Sequence, residues 1–168
     1  HILDINGSSA AIEYLSDHQE EILRRAKRYE SQAKIALERQ QRKLAPLLLM
    51  AGLLETNMQW HEAQDLLEEV AEAAPNWWEA RMELGENLTK TGQYSTAEGH
   101  LLAATELAPN ESANGDALNE LATLYAETNR TAEAKKLFEQ SLLLRQTTHG
   151  PTSGRVASSY NNLGLTYK

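Results

Sequence analysis

His61 and Glu62 come closest to a catalytic motif, because a His-Glu pair opens the zinc-binding helix used for metal-assisted hydrolysis. That helix needs a second His four residues after the first, on the same helical face. Position 65 is an aspartate, so the second imidazole is missing. We therefore interpret the pair as a solvated first turn of a helix, and we predict no metal site.

The spacing of the glycines, serines and histidines matches neither a phosphate-binding loop nor a nucleophilic active site. Gly85, Gly92 and Gly99 are spread through helices or turns, and no glycine-rich loop leads into Lys-Ser or Lys-Thr. The other histidines are scattered along the chain, and no Ser occupies a nucleophile elbow. The sequence therefore predicts no enzyme and no cofactor.

Composition and charge describe an acidic chain rich in helix-forming residues. Its 168 residues are 41% hydrophobic and 6% aromatic, and the formal net charge is -8. Such a charge disfavours nucleic acid and favours a basic protein or peptide as the partner. No run approaches the roughly 20 apolar residues that span a bilayer, so we predict no membrane contact. The absence of cysteine excludes disulfides and thiolate metal sites.

Residues of matching size recur 34 positions apart in the middle of the chain, which is typical of stacked helical hairpins. The matched pairs are Met50 and Leu84, Ala51 and Gly85, Leu54 and Leu88, Ala63 and Ala97, Leu67 and Leu101, Val70 and Ala104, and Pro75 and Pro109. Small residues predict a close approach of two helices, where a larger side chain costs about 1–3 kcal/mol. Each proline is followed by Asn, which suits a turn and the start of the next helix.

The repeat pattern divides the chain into three predicted parts. Residues 1–9 form a linker, residues 10–43 a long helix, and residues 44–168 a domain of helical hairpins. Within that domain we place repeats at 44–77, 78–111 and 115–156, with a partial repeat at 157–168. We expect the chain to be part of a longer protein.

A thin apolar seam runs along the predicted long helix. Its residues recur every seven positions and are Leu15, Ile22, Tyr29 and Ala36. Three interpretations remain open: the helix docks along the first repeat, forms a dimeric coiled coil, or acts as a flexible spacer. We also predict a helix break between Lys43 and Pro46, because the residue before a proline avoids helical dihedral angles.

The repeat resembles the tetratricopeptide repeat family. A third unit carries corresponding residues at Leu118, Leu121, Ala122, Tyr125, Ala134 and Phe138. Three of these residues recur 42 positions later as Leu163, Gly164 and Tyr167, a spacing similar to the longer variant in kinesin light chain and bacterial signalling proteins. The resemblance implies an all-α fold, an α-α superhelix of about three and a half helical hairpins preceded by the long helix.

In this family the first helices of the repeats line a concave groove that holds peptides. The resemblance places there Glu79, Met82, Glu83, Glu86, Thr89, Lys90, Asp116, Asn119, Glu120, Thr123, Glu127, Ser158, Asn161 and Asn162. It also implies that Asn119, Asn161 and Asn162 hydrogen-bond the backbone of an extended peptide. Six carboxylates against a single Lys predict a basic ligand. The alternative is that the carboxylates only keep the surface hydrated.

We predict a non-catalytic protein–protein interaction module of a larger cytoplasmic, bacterial protein. Two alternatives stay open: a regulatory or sensor segment of a multidomain signalling ATPase or kinase, and a structural element that oligomerises through the long helix. Self-association through the uncapped C-terminal end is also expected, since the last repeat lacks its second helix.

Of the adjacent Trp77 and Trp78, only one is expected to face the core, because neighbours on a helix point in different directions.

Overall fold

The computed structural model describes residues 18–166, and within this range the backbone forms seven α-helices. They are α1 (Gln19–Thr56), α2 (Trp60–Ala73), α3 (Trp78–Lys90), α4 (Tyr94–Leu107), α5 (Glu111–Glu127), α6 (Thr131–His149) and α7 (Gly154–Leu165). The all-α prediction is confirmed for this part of the chain. The predicted linker, Leu15 of the seam and Tyr167 of the last repeat lie outside the described residues. None of the helices described is both long and apolar enough to cross a membrane.

Backbone contacts divide the chain into two units, residues 1–42 and residues 43–168. In the first unit, the described residues belong to the N-terminal part of α1. An ion pair between Arg25 Nε and Glu21 Oε1, at 2.8 Å and one turn apart, supports the helix. Tyr29 of the predicted seam is 70% exposed. The three interpretations of this helix stay predictions.

The predicted helix break between Lys43 and Pro46 is wrong, because α1 continues through Pro46 to Thr56. Pro46 has no amide hydrogen and its ring crowds the carbonyl of Arg42, which costs about 3 kcal/mol in a helix interior. Leu, Ala and Met residues around it favour a helix, and Ala51 further along is fully buried. The first repeat therefore has no separate helix start at its predicted boundary.

Residues 43–168 build the helical hairpins. Each helix from α2 to α6 packs against the next one in the chain, and α3 also packs against α5, as expected when hairpins stack in series. The predicted small residues lie at the helix crossings, where Ala51, Ala63, Ala97 and Ala134 are fully buried. Large side chains complete the same core and include Leu67, Leu84, Leu101 and Phe138.

Two helix starts differ slightly from those that the sequence predicts. α5 begins at Glu111, ahead of the predicted third repeat at residue 115. Its cap is Asn110, whose Oδ1 accepts a hydrogen bond from the backbone amide three residues on at 3.0 Å. The Pro-Asn prediction is therefore confirmed here. At α3 the N-cap is Trp77, which makes no side-chain capping bond, so Asn76 does not start that helix.

One tryptophan of the adjacent pair faces the core, as predicted. Trp77 is 5% exposed and packs with Val70, Ala74 and Ala80 in a second, smaller core cluster. Trp78 is partly exposed. This cluster joins the end of α2 to the start of α3, so it holds two successive hairpins together.

Candidate functional site

The first helices of the hairpins stand side by side within residues 43–168. Asn87 Nδ2 on α3 donates to Glu55 Oε1 on α1 at 2.7 Å, and α3 packs against α5. Asn162 Nδ2 on α7 donates to Asn119 Oδ1 on α5 at 3.4 Å. We call this row the inner wall; it consists of residues 43–56 of α1 together with α3, α5 and α7. The predicted groove residues all lie on helices of the inner wall.

Two glutamates of the inner wall have strongly raised pKa values. Burial raises the pKa of Glu83 to about 7, and repulsion from Glu55, Glu86 and Glu79 adds to the effect. Burial likewise raises the pKa of Glu120 to about 7, with a further contribution from Glu86. These crowded carboxylates are therefore partly protonated at neutral pH, and the inner wall carries less charge than the count of acidic residues suggests.

Lys90, the cation predicted in the groove, already has two partners. Its Nζ lies 2.6 Å from Glu86 Oε1, one helical turn away, and 4.9 Å from the centroid of the Trp60 ring. Burial is the largest single influence on the pKa of Lys90 and opposes its charge. The hydrogen bond to Glu86 and the charges of Glu86, Glu55 and Glu120 together outweigh burial, so the pKa of Lys90 is raised. A cation held between a carboxylate of the inner wall and an aromatic ring of α2 is thus already present in this domain.

The asparagines predicted to bind a peptide backbone differ in exposure. Asn119 is 5% exposed, donates from Nδ2 to Glu120 Oε1 at 3.0 Å and accepts from Asn162. Asn162 is half-buried, whereas Asn161 is exposed. A separation of 3.4 Å makes the bond between Asn162 and Asn119 weak, so the Asn162 amide can turn toward a ligand at little cost.

Asp116 is neutralised by two arginines that sequence analysis did not place in the groove. Arg145 Nη2 on α6 lies 2.9 Å from Asp116 Oδ1, and Arg155 on α7 pairs with Asp116 Oδ2. Arg145 is 6% exposed and also donates to Ser159 Oγ at 2.8 Å. The prediction of one cation among six carboxylates is therefore incomplete, and the network ties α5, α6 and α7 together.

The position of Arg145 is a signal that sequence analysis missed. Four buried residues of α6 follow one helical stripe, namely Ala134, Phe138, Ser141 and Arg145. A charged residue in a buried stripe needs a charged partner, and Asp116 on the preceding helix is the acid that meets it. The side chain of Arg155 is 54% exposed and shows no comparable pattern.

The other predicted groove residues have mixed surroundings. Met82 is partly buried against the main core, and the exposed Glu79 accepts a hydrogen bond from Trp77 Nε1 at 2.6 Å. Thr89 and Thr123 each donate their hydroxyl to a backbone carbonyl one turn earlier, at 2.8 and 3.0 Å. Glu127, Ser158 and Asn161 are exposed as well. The role of each in binding stays a prediction.

The raised pKa values predict a pH-dependent stability. Glu83 and Glu120 keep their protons up to about pH 7 when folded, but lose them near the ordinary value of 4.5 when unfolded. Folding therefore takes up protons between these two values, and the free energy of unfolding falls as pH rises through this window. With allowance for partial exposure we expect a fall of about 1–2 kcal/mol, measured by urea titration across the window.

The double substitution Glu83→Gln and Glu120→Gln is the matched control, because glutamine has the same size and does not titrate. Its stability should depend less on pH than that of the wild type. Burial and the charge of Arg81 lower the pKa of His100, which acts in the opposite direction below pH 6.5. The difference between the two proteins is therefore the diagnostic quantity, and parallel pH profiles would contradict the prediction.

Comparison with known proteins identifies the repeat. Two family models, both described as tetratricopeptide repeat, match residues 48–113 and 115–168. The chain belongs to the tetratricopeptide repeat family. The recognition that rests on the 34-residue spacing is thereby confirmed. Among curated proteins, none matches this chain.

Solved structures share the fold at low sequence identity. The first TPR of Spaghetti (RPAP3) bound to the HSP90 peptide SRMEEVD is 19% identical, with a TM-score of 0.61; the match covers 75% of this chain and 91% of that one. BtubC (BKLC) from P. vanneervenii is 20% identical, with a TM-score of 0.63, covering 94% and 66%. MamA 41-end from Desulfovibrio magneticus RS-1 is 18% identical, with a TM-score of 0.53, covering 92% and 92%. These matches confirm an all-α helical solenoid.

Tetratricopeptide repeats are typically non-catalytic modules for protein–protein interaction. Family membership and a neighbour solved with a peptide therefore support an interaction module with a protein or peptide partner. The predicted function is confirmed at this level. The chemistry of the partner has to be argued from the inner wall of this tetratricopeptide repeat domain itself.

Proposed function

We propose that the inner wall of this tetratricopeptide repeat domain binds an extended protein segment carrying Lys or Arg, and that it does so without catalysing a reaction. The observation that carries the proposal is the crowding of Glu83, Glu86 and Glu120 on two adjacent helices. The negative charges of Glu83 and Glu120 are unfavourable because both groups are partly removed from water and Glu86 repels each of them. An ammonium or guanidinium group from a ligand would offset that repulsion.

Lys90 supports this proposal from within the chain. It pairs with Glu86 at 2.6 Å and lies over the Trp60 ring, so the inner wall already accommodates one cation. Glu83 and Glu120 do not share that ion pair. A ligand cation would therefore add to the contacts of Lys90 and would not have to replace them.

The charge of the inner wall favours a ligand unlike the peptide bound to one structural neighbour. The neighbour was solved with SRMEEVD, a peptide rich in acidic residues. In this chain Lys90 pairs with Glu86, and Arg145 and Arg155 pair with Asp116, whereas Glu83 and Glu120 form no ion pair within residues 18–166. We therefore propose a ligand of the opposite charge, in agreement with electrostatic complementarity.

Asparagine side chains on α5 and α7 complete the proposed site. Asn119, Asn161 and Asn162 offer amide donors and acceptors to the backbone of an extended segment. Asn162 is best suited, because it is half-buried and its bond to Asn119 is long at 3.4 Å. The glutamates would then select the ligand by its charge. The asparagines would hold its backbone, whatever its side chains are.

Titration with two matched fluorescent peptides tests the proposal. One peptide contains several Lys residues separated by Gly and Ser, and the other has Glu in place of every Lys. We expect the Lys peptide to bind about tenfold more tightly at low ionic strength, and the preference to shrink as salt screens the charges. Substitution of both Glu83 and Glu120 by Gln should remove most of the preference for the Lys peptide. Equal binding of the two peptides, or a preference indifferent to salt, would overturn the proposal.

Oligomerisation through residues 19–42 is a second candidate function. Exposed apolar side chains on this part of α1 favour it, namely Ile22, Leu23, Tyr29 and Ile35. Light scattering over a wide concentration range tests the idea. A strict monomer at every concentration would leave it without support.

The remaining context is also proposed from the sequence pattern. We propose that the chain belongs to a cytoplasmic bacterial protein that acts in signalling. The alternative is that it is a regulatory segment of a multidomain ATPase or kinase. The 42-residue variant of the repeat is supported by helix length, because α5 and α6 have 17 and 19 residues whereas α3 and α4 have 13 and 14. Self-association at the C-terminal end is supported by Leu165, which is 59% exposed.

A further inference from the structure

An apolar cleft lies beside Glu83 on the inner wall. It has a volume of about 450 Å³ and is bordered by Leu48, Leu49, Gly52 and Leu53 of α1 and by Glu83 of α3. Leu49 is 69% exposed and Leu53 is 54% exposed, so large apolar side chains border the cleft without being covered. An open apolar cleft with a polar group at its edge is the usual form of a binding site.

Glu83 differs from its three acidic neighbours because, among residues 18–166, no hydrogen bond or ion pair reaches its carboxylate. Each neighbour has one donor: Glu55 has Asn87 at 2.7 Å, Glu79 has Trp77 at 2.6 Å, and Glu86 has Lys90 at 2.6 Å. The side chain of Glu83 is half-buried, but its carboxylate oxygens are not fully enclosed, so a ligand can reach them from the cleft. A ligand that supplies both a cation and an apolar group would satisfy Glu83 and cover the cleft at once.

We infer that the cleft and Glu83 together form a subsite for a partner segment in which a large apolar residue, such as Leu, stands two positions from a Lys or Arg. This inference rests on the proposed function and narrows its ligand. In an extended segment, residues two positions apart point to the same side and are separated by about 7 Å, so both can face α1 and α3. A second copy of the chain is a poorer occupant, because a net charge of -8 on each copy opposes association.

Gly52 offers a way to fill the cleft without disturbing the fold. A Cβ atom built on Gly52 meets no other atom within 4 Å, so the first atom of a Leu side chain has room and its remaining atoms can extend into the cleft. Leu also favours a helix more than Gly does. Gly99 on α4 is equally open and lies outside the cleft, so Gly99→Leu is the matched control for Gly52→Leu.

Two peptides that share a central Lys test the subsite. One carries Leu two positions before and two positions after the Lys, and the other carries Ser at both places. We expect the wild type to bind the Leu peptide about tenfold more tightly than the Ser peptide. Gly52→Leu should abolish this advantage, whereas Gly99→Leu should keep it and leave the binding of both peptides unchanged. Glu83→Gln should weaken the binding of both peptides.

The possible failures point to different causes. Equal affinity of the wild type for the two peptides, with salt-dependent binding of both, would overturn the subsite and leave the proposed function intact. If neither peptide binds, both the subsite and the proposed function are overturned. A concentration-dependent dimer that Gly52→Leu dissociates would assign the cleft to a second copy of the chain and would also overturn the inference.

Discussion

Replacement of Asp116 by Ala is expected to lower the free energy of unfolding by about 3 kcal/mol. The reason is Arg145, which is 6% exposed and has Asp116 as its only ion-pair partner among the described residues. Without that carboxylate, the guanidinium keeps a hydroxyl and a carbonyl, from Ser159 and Arg155, but remains a buried charge without a counter-charge. Urea denaturation of the variant and the wild type measures the difference.

An exposed ion pair in the same domain is the control for Asp116→Ala. Glu133 pairs with Arg130 at 2.6 Å, and its side chain is 54% exposed. Because water replaces the lost contact there, Glu133→Ala should leave the denaturation midpoint close to that of the wild type. Equal losses of stability from the two substitutions would show that the buried network around Arg145 contributes no more than an exposed ion pair does.

Replacement of Gly85 by Ala is expected to lower the free energy of unfolding by about 2–3 kcal/mol. The new Cβ would lie 2.5 Å from Leu101 Cγ and 2.7 Å from Leu101 Cδ2. Leu101 is fully buried, so it cannot move aside without disturbing the packing of α3 on α4. The clash outweighs the gain of about 1 kcal/mol that Ala normally brings to a helix. Urea denaturation measures this change as well.

Gly99→Ala is the matched control for Gly85→Ala, because it makes the same chemical change in the partner helix. A Cβ at Gly99 meets nothing within 4 Å, so only the helix propensity changes. We expect Gly99→Ala to stabilise the domain by about 0.5–1 kcal/mol. The two substitutions should thus have opposite signs. A gain in stability from both would mean that α3 and α4 do not approach as closely as described.

Much of the fold can be predicted from the sequence because each hairpin buries its surface against its neighbours in the chain. Small residues must occur wherever two helices cross closely, and the chain must repeat them at every crossing. Ala63 and Ala97 stand 34 residues apart, and both are fully buried. The spacing alone therefore predicts which faces of the helices meet.

Other features depend on contacts between residues distant in the chain, and local patterns do not reveal them. Pro46 predicts a helix break from its own chemistry, but α1 continues and buries Ala51 in the core. The ion pair of Asp116 with Arg145 joins different helices and forms only because their faces meet. A count of acidic residues likewise says nothing about burial, which is the main cause of the raised pKa of Glu83.

Chemical-shift mapping of the isotopically labelled domain with the Lys peptide tests most directly whether the inner wall binds a basic segment. The account predicts saturable shifts on α3, α5 and α7, including the side-chain amides of Asn119 and Asn162, and no shifts with the Glu peptide. Shifts confined to α2, α4 and α6, or equal shifts with both peptides, would contradict it.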